Sequence, residues 1–368
     1  MTLGILYRED LKEYDFGQGH PFRGDRFDAF YHALRSNLTQ GIDYRIVKSD
    51  PATDDDLFLI CNREYINFTR EFYRAASRGL TGPGDLYRFH SADNTPLGKP
   101  GKIEEAARFI VGQAKEACRL VQEGFFQKVI SVGGGLHHAR RSRGEGFCLY
   151  NDVAYCALHL IKKYGMERVL ILDTDAHAGN GTCEYFYDDP RVLFIDLHQD
   201  PLTIYPGTGF AGEVGRGEGK GFTINVPMPV GAGYESFQMV FDTIVEPVTM
   251  EFKPQIIIRN GGSDPHFKDG LTSLGLPLEG FFMIGQKVRQ MAEVCDDKVI
   301  DLVCSGYNKD VLPHAWLAIA GGLAGIKLNL KEVETDCDIH AEDVYLTKTK
   351  EVIEDVKANH RDYWSCLG

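Results

Sequence analysis

Apolar residues along this chain fall into short β-branched runs separated by longer stretches with helical spacing. Segments 56–61, 128–132, 168–173, 191–197, 222–226, 255–260 and 298–304 are close to continuously apolar, the pattern of strands covered on both faces. Between them, 103–123 sets Ile103, Ala107, Ile110, Ala114, Ala117 and Val121 at helical spacing with charges in between. Segments 151–164 and 280–294 repeat that pattern. The alternation predicts an α/β fold: an open, mostly parallel sheet with helices on both faces. No repeat of solenoid length and no Pro/Ser-rich linker divides the chain. The Gly-rich stretch 207–221 runs straight into a strand signal, so it reads as a loop. The expectation is one domain over residues 1–368, with the more charged stretch 331–368 as a peripheral C-terminal extension, a helix plus an extended end.

Composition narrows the function. Of the 368 residues 43% are hydrophobic and 25% charged, ordinary globular usage that excludes disordered and low-complexity classes for the bulk of the chain. Acidic residues outnumber basic ones 53 to 40, for a net charge of -13. That balance disfavours direct nucleic-acid binding and attracts a cationic small molecule or a basic peptide. Cys61, Cys118, Cys148, Cys156, Cys183, Cys295, Cys304, Cys337 and Cys366 are odd in number, scattered and without a CxxC, which reads as free thiols in a reducing compartment. The stretch from Met1 to Asp10 lacks the apolar core of a signal peptide. The longest apolar run, 316–325, is about half the ~20 residues a membrane helix needs. A cytoplasmic protein with no membrane partner is expected; oligomeric state is not legible.

Four of the expected strands lead directly into unusual polar residues. The strand at 128–132 runs into Gly133-Gly134-Gly135-Leu136-His137-His138, and the run 168–172 into Asp173-Thr174-Asp175-Ala176-His177-Ala178-Gly179-Asn180-Gly181. The strand at 255–260 runs into Gly261-Gly262-Ser263-Asp264, and that at 298–304 into Ser305-Gly306-Tyr307-Asn308. Sites of open α/β sheets form outside the carboxyl ends of the strands. Asp175 and His177, two apart, point the same way at a strand end, and zinc takes such donors, three from the protein with a fourth position open. Asp264, among glycines that let backbone approach an ion, is the choice for the third ligand. Alternatively, Asp173, Asp175 and His177 begin a helix as cap and surface residues. His137 and His138 are either satisfied buried histidines or the groups that move protons beside an activated water. In the second case Asp173 and Asn180 are their natural partners, Asp raising basicity and Asn orienting without charge. Tyr307 is either packing or a hydroxyl aimed at a developing oxyanion. Gly133-Gly134-Gly135 is not a GxGxxG opening a helix, so dinucleotide binding is disfavoured; no GxSxG, P-loop or HExxH is present, and Cys148 reads as a buried thiol rather than a nucleophile.

Taken in order, these blocks resemble the zinc-dependent histone deacetylase and acetoin-utilisation superfamily, with its arginase/deacetylase fold. The likeness runs from about residue 14 to 325. It begins at Tyr14-Asp15-Phe16-Gly17-Gln18-Gly19-His20-Pro21-Phe22 and continues through Gly133 to Ala139, Gly146-Phe147-Cys148-Leu149-Tyr150-Asn151-Asp152 and Asp173 to Thr182. Tyr205-Pro206-Gly207-Thr208-Gly209, Gly262-Ser263-Asp264 and Gly306-Tyr307-Asn308 complete it. The resemblance implies one zinc ion on Asp175, His177 and Asp264, the tandem histidines His137 and His138, and Tyr307 as the hydroxyl that polarises the carbonyl. It implies Phe147 and Tyr205, with Gly146, as walls of an acyl-lysine tunnel. Asp93 would be the loop carboxylate that holds the substrate backbone, although Thr95 separates Asn94 from Pro96 and an ordinary turn aspartate reads as well. A potassium ion would use Asp173, Asp175 and His177 with backbone near Asp196 and Leu197. Three departures stand out: Asn180 where some relatives have Asp, Ala178 where a second His is frequent, and Cys304-Ser305-Gly306-Tyr307 with fewer glycines than usual. The implied reaction is hydrolysis of an N-acetylated amine, most simply acetyl-lysine in proteins. An acetylpolyamine or other small amide is the alternative substrate, and an acyl-lysine binding module without catalysis is the alternative of another class.

Overall fold

The computed structural model describes residues 2–80, 84–332 and 345–368; Cys337 and part of the stretch 331–368 lie outside them. Eight strands form one sheet: β1 (Leu3–Leu6), β2 (Tyr44–Val47), β3 (Lys128–Val132), β4 (Val169–Asp173), β5 (Val192–Gln199), β6 (Thr223–Met228), β7 (Ile256–Gly261) and β8 (Val299–Val303). Their order is β2-β1-β3-β8-β7-β4-β5-β6, and every neighbouring pair is parallel. β3, β4, β5, β7 and β8 are buried along their whole length, as their unbroken apolar runs require.

Helices lie on both faces. Asp25–Asn37, Leu278–Met291 and Leu312–Ala324 pack on one another, and Arg63–Ala76, Ile103–Gln122 and Asp152–Tyr164 form a second group. Asn151 caps its helix by accepting from Ala154 N at 2.8 Å, and Gly165 ends it in the left-handed region. The apolar run at 316–325 lies in the buried helix Leu312–Ala324 and ends at its left-handed C-cap, Gly325. Among the described residues no helix is long and apolar enough to cross a membrane. Beyond residue 345, helix Leu346–His360 lies against β6, and Trp364 Nε1 donates to Gly221 O at 2.8 Å.

One expected strand is absent. Segment 56–61 enters the short helix Asp54–Leu57, because Thr53 and Asp56 close a capping box ahead of its three acids. Two strands went unread: β1 and β2 are four residues each, and β2 is an edge strand broken by Arg45.

The strand order decides where chemistry can occur. β3, β8, β7, β4 and β5 are consecutive neighbours, so their carboxyl ends line one edge. Registers level them: Val132 pairs with Val303, Gly261 with Val303, and Asp173 with both Asn260 and Asp196. Underneath, Arg259 on β7 and Asp301 on β8 form a fully buried ion pair.

Candidate active site

Beyond β4 the chain does not turn helical at once; the next helix, Asn180–Phe186, starts only after Gly179. Asp175 and His177 are thus free to face across the strand ends toward Asp264 beyond β7. His177 Nδ1 lies 3.1 Å from Asp175 Oδ1 and 3.0 Å from Asp264 Oδ2. One donor atom from each residue lies within 4.8 Å of the others. All three side chains are largely buried. Burial, reinforced by the Asp175 charge, pushes Asp264 up to about 7. Burial also works against a charged His177, yet Asp175 and Asp264 hold its proton up to about 10. Two carboxylates in so small a dry volume are both ionised only when a cation shares it with them. The donor set of one imidazole nitrogen and two carboxylate oxygens fits a zinc ion with a fourth position left open.

The tandem histidines follow a glycine turn at the end of β3. Gly135, at φ 126°, passes so close to Asn260 that any Cβ there would collide with its side chain. Buried Asp152 fixes the turn by accepting from Gly135 N at 2.9 Å and Leu136 N at 2.8 Å. Asn151 Nδ2 donates to His137 O at 3.2 Å and Ala139 O at 3.0 Å. His137 Nδ1 lies 2.8 Å from Asp173 Oδ2, which also accepts from Asn260 Nδ2 at 2.9 Å. His138 Nδ1 donates to Asn180 Oδ1 at 2.7 Å, and the two Nε2 atoms are 3.1 Å apart. The rings differ electrostatically. Burial opposes charge on His137, but Asp173 and Asp175 outweigh it and hold the ring up to about 9. Burial, then the positive charges of His137 and His177, drive His138 well below the usual histidine range. The two rings are thus biased in opposite directions, His137 toward the charged form and His138 toward the neutral one.

The walls come from loops. Gly146 and Phe147 both have positive φ, 55° and 65°, and a side chain at Gly146 would run into the His138 ring. Asn94 Oδ1 accepts from Phe147 N at 2.7 Å and Tyr14 OH donates to Phe147 O at 2.5 Å, pinning the strained turn. Asp93 serves the same wall, with Oδ2 accepting from Gly146 N at 2.9 Å and Oδ1 from the Ser91 hydroxyl. Tyr205, 42% exposed, stands edge-on to His138 with ring centroids 5.1 Å apart. Half-buried Tyr307 meets Phe147 edge-on at 6.0 Å. Its N–H donates to Asp269 Oδ2 at 2.8 Å, and burial pushes its phenol far above the usual range. A void of about 20 Å³ lies among His137, His138, His177 and Tyr307. Cys148 is buried with its thiol pushed up by desolvation, as suits packing rather than nucleophilic attack.

Thus the two histidines, the two aspartates with His177, and Tyr307 meet at one edge, flanked by Phe147 and Tyr205. Asp173 and Asn180 sit behind the histidines, and Asp93 behind the wall. Asn260, Asp152, Asp269 and Ser305 escaped the sequence reading as members of the site. Asn260 ends a strand run, and only its pairing opposite Asp173 gives it a role.

Residues 20–323 match the family model for the histone deacetylase domain. The chain belongs to the histone deacetylase family. Among its relatives, a probable deacetylase from Archaeoglobus fulgidus is 36% identical over 377 residues, covering 100% of both chains. Acetoin utilization protein AcuC of Staphylococcus xylosus is 34% identical over 326 residues, 88% of this chain and 83% of its own. The HD domain of HDA15, a solved structure, superposes with TM-score 0.83 at 25% identity over 100% of this chain and 97% of that one. The family match spans every strand-end block that makes up the site.

Proposed function

We propose that this chain is a zinc-dependent amidohydrolase that removes acetyl groups from acylated amines, with acetyl-lysine in proteins as its substrate. The observation that carries the reading is the meeting of Asp175, His177 and Asp264 within 4.8 Å, beside two histidines whose Nε2 atoms are 3.1 Å apart and whose outer nitrogens face Asp173 and Asn180. These three residues would hold the zinc, which when bound polarises the acyl carbonyl and brings the pKa of a water toward ~7. His138 Nε2 takes the proton of the attacking water as the new C–O bond forms, and returns it to the nitrogen as the C–N bond breaks, releasing acetate and the free amine. His137, kept charged by Asp173, stabilises the negative charge that develops. The Tyr307 hydroxyl donates to the former carbonyl oxygen. Phe147 and Tyr205 sheath the aliphatic stem of the substrate while its head stays in water. A potassium ion at Asp173, Asp175 and His177, with backbone around Asp196 and Leu197, would brace the β4 and β5 ends.

The surroundings favour a peptide over a free polyamine. Asp269 is already engaged by the backbone N–H groups of Tyr307 and Leu271, while Asp93, which accepts from Gly146 N in the wall, would hold the backbone of a peptide substrate. Tyr205, 42% exposed and edge-on to His138, offers apolar surface to the residues flanking a lysine. We read residues 1–368 as one catalytic domain, with the stretch 331–368 as its peripheral C-terminal extension. The test is metal analysis joined to turnover of acyl-lysine peptides and acetylated polyamines, with and without chelator. Chelator-sensitive release of acetate from the peptides is expected. Release from polyamines alone would move the substrate class, and stoichiometric zinc with no turnover of any substrate would leave a binding module.

A further inference from the structure

The ends of β7 and β8 are laced together more tightly than a shared sheet requires. Ser263 N donates to Ser305 O at 2.9 Å, and Trp316 Nε1, from helix Leu312–Ala324, donates to the same oxygen at 3.0 Å. The approach is possible because residue 262 is glycine: a Cβ there would collide with the Ser305 carbonyl. Gly306, at φ 125°, likewise leaves space that a Cβ would take from Ser263. Ser305 is thereby fixed from two sides, and its hydroxyl points at a ligand. Ser305 Oγ donates to Asp264 Oδ1 at 2.7 Å, while Asp264 Oδ2 faces His177 Nδ1 at 3.0 Å.

We infer that Ser305 is a positioning residue for the metal-ligating carboxylate Asp264, tying its outer oxygen to the strand end that bears Tyr307. The inference rests on the functional reading above. The two carboxylate oxygens have separate duties. Oδ1 accepts from the serine, and Oδ2 is the oxygen that faces His177 in the cradle. Asp264 is fully buried, and Ser305 supplies the side-chain hydroxyl donor that its Oδ1 receives. Without that donor the carboxylate loses its rotational lock, since the terminal torsion of an aspartate is broad and intrinsically soft. Outer partners of this kind commonly support metal affinity by ~10- to 100-fold. Ser305 also lies two residues before Tyr307, so the group that orients the ligand and the group that meets the carbonyl share one short, braced segment.

The experiment compares the full chain with Ser305→Ala and Ser305→Gly. Zinc affinity is measured by competition with a chromophoric chelator. The visible spectrum of the cobalt-loaded protein reports ligand geometry, and the melting temperature of the metal-free protein reports folding. Both variants are expected to hold zinc ~10- to 100-fold more weakly, with an altered cobalt spectrum, beyond the modest fall in metal-free melting temperature that comes from leaving a buried carboxylate oxygen without its donor. A role confined to packing would lower the metal-free melting temperature but leave zinc affinity within twofold of the parent and the cobalt spectrum unchanged; that result overturns the inference. Should Ser305→Ala fail to fold, Ser305→Gly carries the same comparison. A parent chain that takes up no stoichiometric ion would bring down the functional reading itself, an outcome told apart because it needs no variant.

Discussion

Tyr307 presents an uncharged hydroxyl to the site at any ordinary pH, because burial keeps its phenol far above the usual range. Tyr307→Phe keeps the ring against Phe147 and removes only the donor. Turnover should fall ~100-fold or more, with zinc content and melting temperature unchanged; near-parental kcat would exclude the assigned role. His90 makes a different kind of prediction. Its ring is buried, 2.9 Å from Thr69 Oγ1, beside the segment carrying Asp93 and Asn94. Burial, aided by the Arg143 charge, holds it down to about 3. An unfolded histidine titrates near ~6.5, so between about 6.5 and 3 the unfolded chain binds a proton that the folded chain refuses. The stability this neutral ring allows is therefore fully present above ~6.5 and lost as pH falls, at up to ~1.4 kcal/mol per pH unit. His90→Gln should start less stable at pH 7 yet decline less steeply. Urea midpoints at pH 7, 6 and 5 measure the two slopes, and equal slopes would mean that His90 is not held neutral.

At the level of elements, the site depends on how the strand-end segments brace one another. Asp269 accepts from Tyr307 N at 2.8 Å and from Leu271 N at 2.9 Å, clamping the segment after β8 to the one after β7. Asp269→Ala should leave the sheet intact and let Tyr307 wander; a misplacement of ~1 Å can cost ~100-fold in rate. A fall in kcat with little change in KM, partly recovered by Asp269→Asn, is expected from steady-state kinetics, whereas an unaltered kcat would mean that the clamp is idle. Such braces mark the limit of what sequence conveys. β3, β4, β7 and β8 were legible because unbroken apolar runs end in glycine and polar clusters, and Asp175 and His177 because a two-residue spacing puts both on one side of a strand end, although the same residues could also have opened a helix. Asp264, His137, His138 and Tyr307 could be listed but not placed together until the order β3-β8-β7-β4 made their strands neighbours. Segment 56–61 misled because the apolar residues after Leu57 outweighed a capping box whose residues are polar. Asp93 matched a motif, but its position against Gly146 N depends on a contact across 53 positions in the chain.

The whole molecule bears a concentrated charge problem. Asp173, Asp175, Asp196 and Asp264 are all buried at one edge of the sheet, in a chain whose net charge is already -13. Asp173 has a histidine and an amide for company, and Asp196 accepts from Gly179 N at 2.8 Å with His198 Nδ1 2.9 Å from its other oxygen. Asp175 and Asp264 face each other and share His177, with the Ser305 hydroxyl added on Asp264 Oδ1. A site arranged this way trades stability for affinity: the repulsion that destabilises the metal-free fold is what a cation relieves. An ion that binds only the folded chain stabilises it by ~4 kcal/mol when present at about a thousand times its dissociation constant. In a chain of this length that corresponds to a shift of several degrees in melting temperature, on the order of 2 °C per kcal/mol. Asp264→Asn removes one negative charge while keeping an oxygen for Ser305 to donate to. In chelator it should melt at or above the parent, because less like charge is buried; in zinc the order should reverse, because the variant has lost a ligand. Thermal melts of both proteins in the two media decide the matter. If the parent gains nothing from zinc and the two curves keep the same order throughout, the convergence of Asp175, His177 and Asp264 does not serve to hold a metal.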